Sequence, residues 1–273
     1  MDKPLDFRTR ASLREDLRRI GLRGGDTVLV HAAMRRVGPI LNGPDALIGA
    51  LLDVVGPQGT IMVYTSWETR HEALLDDQGR VLADWRDHVP PFVPSTARAI
   101  RINGAIAECV RTTAGARRSA NPSASMAAIG ALADWLTADH PMNYGYGPGS
   151  PLAKLVEAGG RILMVGAPWN KCTAIHYAEH IARLPDKIVV RFEVPLATPA
   201  GTQWRFIEEF ETDDPVSDAL PVNHIHAIVS AFVERGNGSH GTIGAAPSLL
   251  MEAPLLVRFA VDWMEAATGS ASA

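Results

Sequence analysis

Thr173, His176 and Glu179 stand three residues apart in the segment Gly166-Ala-Pro-Trp-Asn-Lys-Cys-Thr-Ala-Ile-His-Tyr-Ala-Glu179. On a helix, side chains at i and i+3 share one face. An imidazole with a carboxylate one turn away can act as a general base whose ring the carboxylate orients. Acyl transfer to an amine needs such a base, because an amine is mostly protonated at neutral pH. In an ordinary helix the same histidine caps or packs, and the spacing alone leaves both readings open. The apolar run Arg161–Val165 before this segment reads as a buried strand. The polar segment therefore leaves the C-terminal end of a strand, where α/β proteins commonly place chemistry.

Other residues have chemical potential of their own. His31 ends an apolar run and precedes Ala32-Ala-Met-Arg-Arg-Val-Gly38. Small residues there let the backbone approach a ligand, and its amides could bind an anion or an oxyanion. Arg35 and Arg36 add positive charge. A second basic turn holds Arg117, Arg118, Ser119 and Asn121-Pro122, and arginine forks suit a diphosphate. Solvated surface arginines are the plain alternative for both turns. The acidic residues point to the opposite kind of ligand. Glu208, Glu209, Glu211, Asp213 and Asp214 cluster, and the stretch from Trp67 to Asp87 adds Glu68, Asp76, Asp77, Asp84 and Trp85. Carboxylates pair with ammonium groups and aromatic faces attract cations, so this combination suits a polycation. Solubilising surface charge is its plain alternative.

Several chemistries lack their signature. No G-x-S-x-G elbow, Walker A loop or G-x-G-x-x-G turn is present. Tyr144-Gly-Tyr-Gly-Pro-Gly149 is glycine-rich but lacks a strand–turn–helix context, so it reads as a loop. The nine histidines form no spaced ligand set, and His224 and His226 read as helix or loop surface. Cys109 and Cys172 are the only cysteines, too few for a disulfide scaffold. The net charge of −4 argues against a nucleic-acid partner. No apolar run approaches the roughly 18 residues of a membrane helix, and the N-terminus lacks an apolar signal core. The expectation is a soluble, reduced, cytoplasmic protein with no membrane partner.

The elements that must position these residues alternate in type. Helical spacing runs from Arg8 to Ile20, with Thr9 or Ser12 as cap, and from Pro44 to Val55. Short apolar strands run Asp26–His31 and Thr60–Thr65, which suggests an α/β unit with a largely parallel sheet. Residues 67–96 lack periodicity, and their tryptophans argue for an ordered functional loop. A helix is expected over Ala97–Arg111, a strand over Met126–Ile129, and a helix over Ala131–Leu136. Ser150 reads as an N-cap with Pro151 at the first helical position. Lys187–Val194 and Trp204–Phe210 read as paired strands. Ile225–Glu234 and Ala246–Ala267 are expected to contain helices.

Six collinear segments carry a resemblance: Val28-Leu-Val-His-Ala-Ala-Met-Arg-Arg-Val-Gly38, Gly56-Pro-Gln-Gly-Thr-Ile-Met-Val-Tyr-Thr65, Arg118-Ser-Ala-Asn-Pro122, Gly149-Ser-Pro-Leu-Ala-Lys-Leu155, Leu163-Met-Val-Gly166 and Thr173-Ala-Ile-His-Tyr-Ala-Glu179. Gly241-Thr-Ile-Gly-Ala-Ala246 and the last helix match too. Together they resemble the aminoglycoside 3-N-acetyltransferases, the antibiotic N-acetyltransferase family, over nearly the whole chain. The resemblance implies one α/β/α sandwich domain over residues 1–273 with a mixed central sheet, distinct from the GCN5-type acetyltransferase fold, and an insertion loop at about 67–96. It implies acetyl-CoA as donor, the 3-amino group of a 2-deoxystreptamine aminoglycoside as acceptor, no metal, and a monomer or homodimer.

At the matching positions the resemblance makes His176 the general base, Glu179 its supporting carboxylate and Thr173 a residue that shapes the site. The first turn, His31, Ala32, Ala33, Met34, Arg35, Arg36, Val37 and Gly38, would hold CoA together with Arg117, Ser119 and Pro122 of the second. Tyr64, Trp67, Asp84, Asn170, Glu209, Asp213 and Asp214 would face the aminoglycoside. Ala32-Ala33 replace the Ser or Thr common in relatives, which leaves a backbone contact to the cofactor there. Direct transfer in a ternary complex is expected over an acyl-enzyme on Cys172. The alternatives are a same-fold acetyltransferase acting on a different amine metabolite, a protein that sequesters polycations without turnover, and a metal-dependent hydrolase.

Overall fold

The structure, a computed structural model, describes residues 6–67, 69, 71–212 and 215–269. In chain order the elements are α1 (Arg10–Arg19), β1 (Thr27–Ala32), α2 (Met34–Val37), α3 (Pro44–Val55), β2 (Thr60–Tyr64), α4 (Ala105–Thr112), β3 (Arg117–Arg118), β4 (Met126–Gly130) and α5 (Ala133–Thr137). There follow α6 (Pro151–Glu157), β5 (Arg161–Val165), α7 (Ala174–Ile181), β6 (Val189–Thr198), β7 (Gly201–Phe210), α8 (His224–Glu234), β8 (Ser239–Ile243), β9 (Ala246–Glu252) and α9 (Ala253–Ala267). One mixed seven-stranded sheet runs in the order β3-β4-β2-β1-β5-β9-β8, and β6 and β7 form a separate hairpin. The middle strands β2, β1 and β5 are parallel, and the outer ladders are antiparallel.

The parallel strands are apolar in unbroken runs because helices cover both faces of the sheet. Leu29, Met62, Ile162 and Met164 face one core, built with α6, α7, α8 and α9. Val28, Val30, Ile61, Val63, Leu163 and Val165 face the other, built with α1, α3 and α4. The result is an α/β/α sandwich. The two-residue period of a strand puts His31 in the row of Leu29 and Tyr64 in the row of Met62. Both side chains therefore extend the α7-facing rows to the carboxyl ends of β1 and β2. Helix α3, which joins β1 to β2, lies on one face, whereas α6, which leads into β5, lies on the other. The crossovers diverge on either side of β1, and such a switch point opens a crevice at the carboxyl ends of the strands.

Local chemistry sets the element ends. Thr9 and Ser12 form a reciprocal capping box on α1, and the Ser150 hydroxyl accepts from the Ala153 amide ahead of Pro151. Three expectations are corrected. The helix expected over Ala97–Arg111 is a 3-10 turn, Arg101–Asn103, followed by α4, because Gly104 at φ +79° breaks the helical path between them. Ala246–Glu252 is strand β9, with the helix confined to Ala253–Ala267. An apolar run of this length is ambiguous by itself, and pairing with β5 and β8 decides it. Arg117–Arg118 is strand β3 at the sheet edge, where a basic turn was expected.

The stretch from Trp67 to Thr96 is irregular but packed. Short 3-10 turns occupy His71–Leu74 and Ala83–His88. Trp67, Val81, Val89 and Phe92 form a small core against Leu196 and Trp204 of the β6–β7 hairpin. The buried Glu193 carboxylate accepts from the Val81 amide at 3.2 Å and from Arg86 at 2.6 Å. Arg118 ties the far end of the stretch. Its guanidinium donates to the carbonyls of Ser66, Ala97 and Pro94 and lies 5.1 Å from the Phe92 ring centroid. Burial, then the nearby Arg111, push this guanidinium down to about 10, so it stays charged at neutral pH. Replacing Arg118 with Met should keep the stem and strand three carbonyls. We expect a loss of about 2 kcal/mol in urea denaturation, and a loss under about 0.5 kcal/mol would contradict the role given to Arg118.

Candidate active site

Helix α7 begins just past the carboxyl end of β5, after the 3-10 turn Trp169–Lys171. Its pitch brings His176 and Glu179 together, with His176 Nδ1 2.7 Å from Glu179 Oε2. A carboxylate only accepts, so Nδ1 carries a proton and Nε2 is the ring nitrogen left to exchange one with a ligand. The carboxyl of Glu179, 2% exposed, also accepts from His224 Nε2 through Oε1 at 2.5 Å. Burial alone would raise this carboxyl. The charge of His176 and the hydrogen bonds from both histidines outweigh burial and hold it at about 2. Glu179 is thus an anion throughout the physiological range.

A second pair lies one turn on. His180 Nδ1 donates to the His176 carbonyl at 2.7 Å, and its Nε2 lies 2.7 Å from Glu209 Oε1. The other oxygen of Glu209 accepts from the Gly145 amide at 2.6 Å. This carboxylate therefore joins the hairpin, the 143–149 turn and α7. That turn comes close because Gly145 and Gly147 lack side chains. A Cβ on Gly145 would sit 2.5 Å from Asn121 Nδ2, and one on Gly147 2.9 Å from the His180 ring. Tyr146 is set against the His176 ring at 5.1 Å between centroids, and its hydroxyl meets that of Tyr64 at 2.6 Å.

These groups border a cavity of about 720 Å³ at the carboxyl ends of the parallel strands. His31, Ala32, Ala33, Asn103 and Gly104 line it, as do Thr173, His176, Tyr64 and Tyr146, and Trp67, Glu72, Asn170, Glu209, Glu211 and Thr212 complete the wall. His31 Nε2 is enclosed and has no partner among the described residues. Burial, then the charge of His176, depress His31 to about 4, so it is neutral at neutral pH.

Several residues expected at the site lie outside the lining of this cavity. Met34 packs on the second core and Val37 is fully buried in it. Arg35 and Arg36 are exposed, and Arg36 donates to the Gly166 carbonyl at 2.9 Å, bracing the exit of β5. Gly38, at φ +93°, ends α2 outside the cavity lining. Arg117 is exposed and pairs with Asp134 at 2.5 Å. Ser119 is fully buried between His140 and the Met126 amide, and Pro122 is buried as well, so neither lines the cavity. Asp84 is exposed on a 3-10 turn away from the cavity. Asp213, Asp214 and Glu68 lie outside the described residues. His224 was read as surface but is 4% exposed. His180 and Tyr146 carried no helical or motif signal; the glycines flanking Tyr146 were the available sign of close backbone approach. Cys172 is fully buried, and burial raises its thiol to about 12 despite backbone hydrogen bonds that lower it, so it is no nucleophile at neutral pH.

A histidine–carboxylate pair beside a cavity at strand carboxyl ends is an arrangement suited to proton transfer with a bound ligand. The chain belongs to the aminoglycoside 3-N-acetyltransferase family, whose profile matches residues 29–265, and it is accordingly an acyltransferase. Its sequence is 38% identical over 264 residues to aminoglycoside N(3)-acetyltransferase III of Pseudomonas aeruginosa, covering 97% of this chain and 96% of that one. The structure matches AAC-IIIb in binary complex with CoASH at a TM-score of 0.96 and 54% identity, over 98% of this chain and 100% of that one. It matches AAC-VIa bound to sisomicin at 0.91 and 36%, over 95% and 98% of the two chains. Among the described residues no helix is long and apolar enough to cross a membrane, and no three metal-ligating side chains group together.

The site's flank carries a pH signature. His140 Nε2 donates to the Gly145 carbonyl at 2.6 Å, and its Nδ1 accepts from Ser119 at 2.8 Å. Burial lowers His140 from 6.5 to about 4, against the raising effect of the Gly145 bond. A depressed histidine contributes stability that is complete above its unfolded value and is lost as pH falls. Stability should therefore drop between pH 6.5 and 4, with His31 adding to the drop in the same direction. Urea midpoints across that window should show a shallower slope for His140→Gln, and an unchanged slope would rule out His140 as a source.

Proposed function

We propose that the protein transfers the acetyl group of acetyl-CoA to the 3-amino group of a 2-deoxystreptamine aminoglycoside, directly, within a ternary complex. The observation that carries this reading is the His176–Glu179 pair at the cavity, with His176 protonated on Nδ1 by its bond to a buried carboxylate. The solved relatives with CoASH and with sisomicin support the two substrates.

The acceptor reacts as the free amine, its ammonium having first released one proton to solvent. The amine nitrogen attacks the thioester carbonyl, the C–N bond forms and the carbonyl becomes an oxyanion, while His176 Nε2 takes a second proton from that nitrogen. The C–S bond then breaks as the carbonyl re-forms, and the proton on His176 passes to the departing thiolate. The negative charge of Glu179 stabilises the imidazolium that forms in between, as a carboxylate does for the histidine of a hydrolase triad. Thr173 lines the cavity at the start of α7 and its side chain makes no capping bond, so its hydroxyl is a donor available to the oxyanion beside the positive end of the helix. With Cys172 buried and unreactive, no acyl-enzyme is needed.

Ala32, Ala33, Asn103 and Gly104 border the cavity that takes the thioester arm. Gly104, at φ +79°, lets its segment pass close to β1, where a Cβ would lie 3.4 Å from the Ala32 carbonyl oxygen. Gly104 also borders a second hollow of about 400 Å³ flanked by Arg98 and Arg101, cations suited to the phosphates of CoA. Glu72, Glu209 and Glu211, which also line the cavity, suit a polyamine acceptor.

His176→Gln should fold normally and release thiol from acetyl-CoA, in the presence of a 2-deoxystreptamine aminoglycoside, about 10²- to 10⁴-fold more slowly. A folded variant with near-normal turnover would remove His176 as the base. Wild-type protein that shows no thiol release with any such aminoglycoside would remove the substrate assignment.

A further inference from the structure

Glu179 has two oxygens, and each meets a histidine. The second, His224, opens α8 and is not among the residues that line the cavity. Its Nδ1 is enclosed and has no partner among the described residues. This asymmetry fixes the ring's state. Nε2 must carry the proton, since a carboxylate only accepts. A second proton on Nδ1 would be a buried N–H without an acceptor. His224 is therefore held as a donor through Nε2. A lysine or arginine in its place would pair its own charge with Glu179 and compete with the imidazolium on His176.

We propose that His224 is a positioning residue for the acyl transfer: its Nε2–H holds Glu179 Oε1 so that Oε2 stays on His176 Nδ1. This rests on His176 being the base.

Other charged or titratable groups surround the pair. His31 faces His176 from β1, Tyr146 from the 143–149 turn with Tyr64 of β2 behind it, and His180 with Glu209 from the next turn and the hairpin. Lys187 acts on Glu179 through its charge, while its ammonium bonds the His180 carbonyl at 2.9 Å. Among the described residues, none of these supplies a hydrogen bond to Oε1. The positive end of the His224 N–H points toward the His176–Glu179 pair. Removing it lets His176 hold its proton more tightly, which moves the acidic limb of the rate profile to higher pH.

The test uses the full chain with His224→Leu, His224→Asn and His224→Gln. A glutamine amide reaches the position of Nε2, and an asparagine amide reaches only that of Nδ1. His224→Leu and His224→Asn should lower kcat about 10- to 100-fold. KM for acetyl-CoA and aminoglycoside should stay within about twofold of wild type, and the acidic limb should move up. His224→Gln should recover most of kcat. Wild-type kcat and pH profile in a folded His224→Leu would overturn the proposal. So would equal losses in Asn and Gln variants with the limb unmoved, the result expected if His224 only packs. Should His224→Leu fail to fold, the Asn–Gln comparison decides alone. The His176 ring titration followed by NMR in the His224 variants reads the coupling without turnover. A shift there, alongside full activity in His176→Gln, would overturn the base assignment while leaving the His224–Glu179–His176 coupling in place.

Discussion

The buried charge on Glu179 is the constraint around which the site is organised. A carboxylate removed from water must have its oxygens satisfied or it takes up a proton. Here the donors come from two helices. His176 lies one turn back on α7, and His224 opens α8, 45 residues further along the chain. Both helices are held by the same core, and both pack on α9. The position of α8 is thus tied to the protonation state of a side chain on α7. Because Glu179 stays ionised, the histidine at the cavity keeps one defined tautomer.

The segments without regular structure follow the same rule. Each is fixed by a buried charge that collects backbone groups. Arg118 gathers carbonyls from the two ends of the 66–97 stretch, Glu193 holds that stretch to the hairpin, and Glu209 joins the hairpin to the 143–149 turn and to His180. These ties give the cavity a wall that neither helix periodicity nor strand alternation would supply. They also explain why Glu209, one of the carboxylates on that wall, is already engaged with protein donors.

The parts of the site carried by local pattern were legible in the sequence. An apolar run, a polar exit and an i, i+3 histidine–carboxylate pair require only the geometry of one strand and one helix, so His176 and Glu179 stood out. His31 and Tyr64 could be placed at strand ends for the same reason. Residues whose role depends on distant partners were not legible. His224 beside His226 looked like helix surface, since nothing nearby in the chain shows that its partner is Glu179. Arg117, Ser119 and Pro122 read as an anion-binding turn because a basic turn is the same string whether it is solvated, paired or buried. The Ala246–Ala267 run shows the matching limit for structure: apolar residues alone do not say whether a strand or a helix will form until a neighbouring edge, here β5, is available to pair.

By itself the sequence determined the α/β layering, the strand-to-helix exit that carries His176, and the carboxylate of Glu179 that partners it. These follow from short-range periodicity, which a linear chain records. The tertiary structure alone decided which carboxylates are exposed and which are satisfied, which histidines are neutral, and which turn borders the cavity. Those properties depend on desolvation and on hydrogen-bond donors brought in from remote segments, and neither exists until the sheet and its two helical layers have closed around the site.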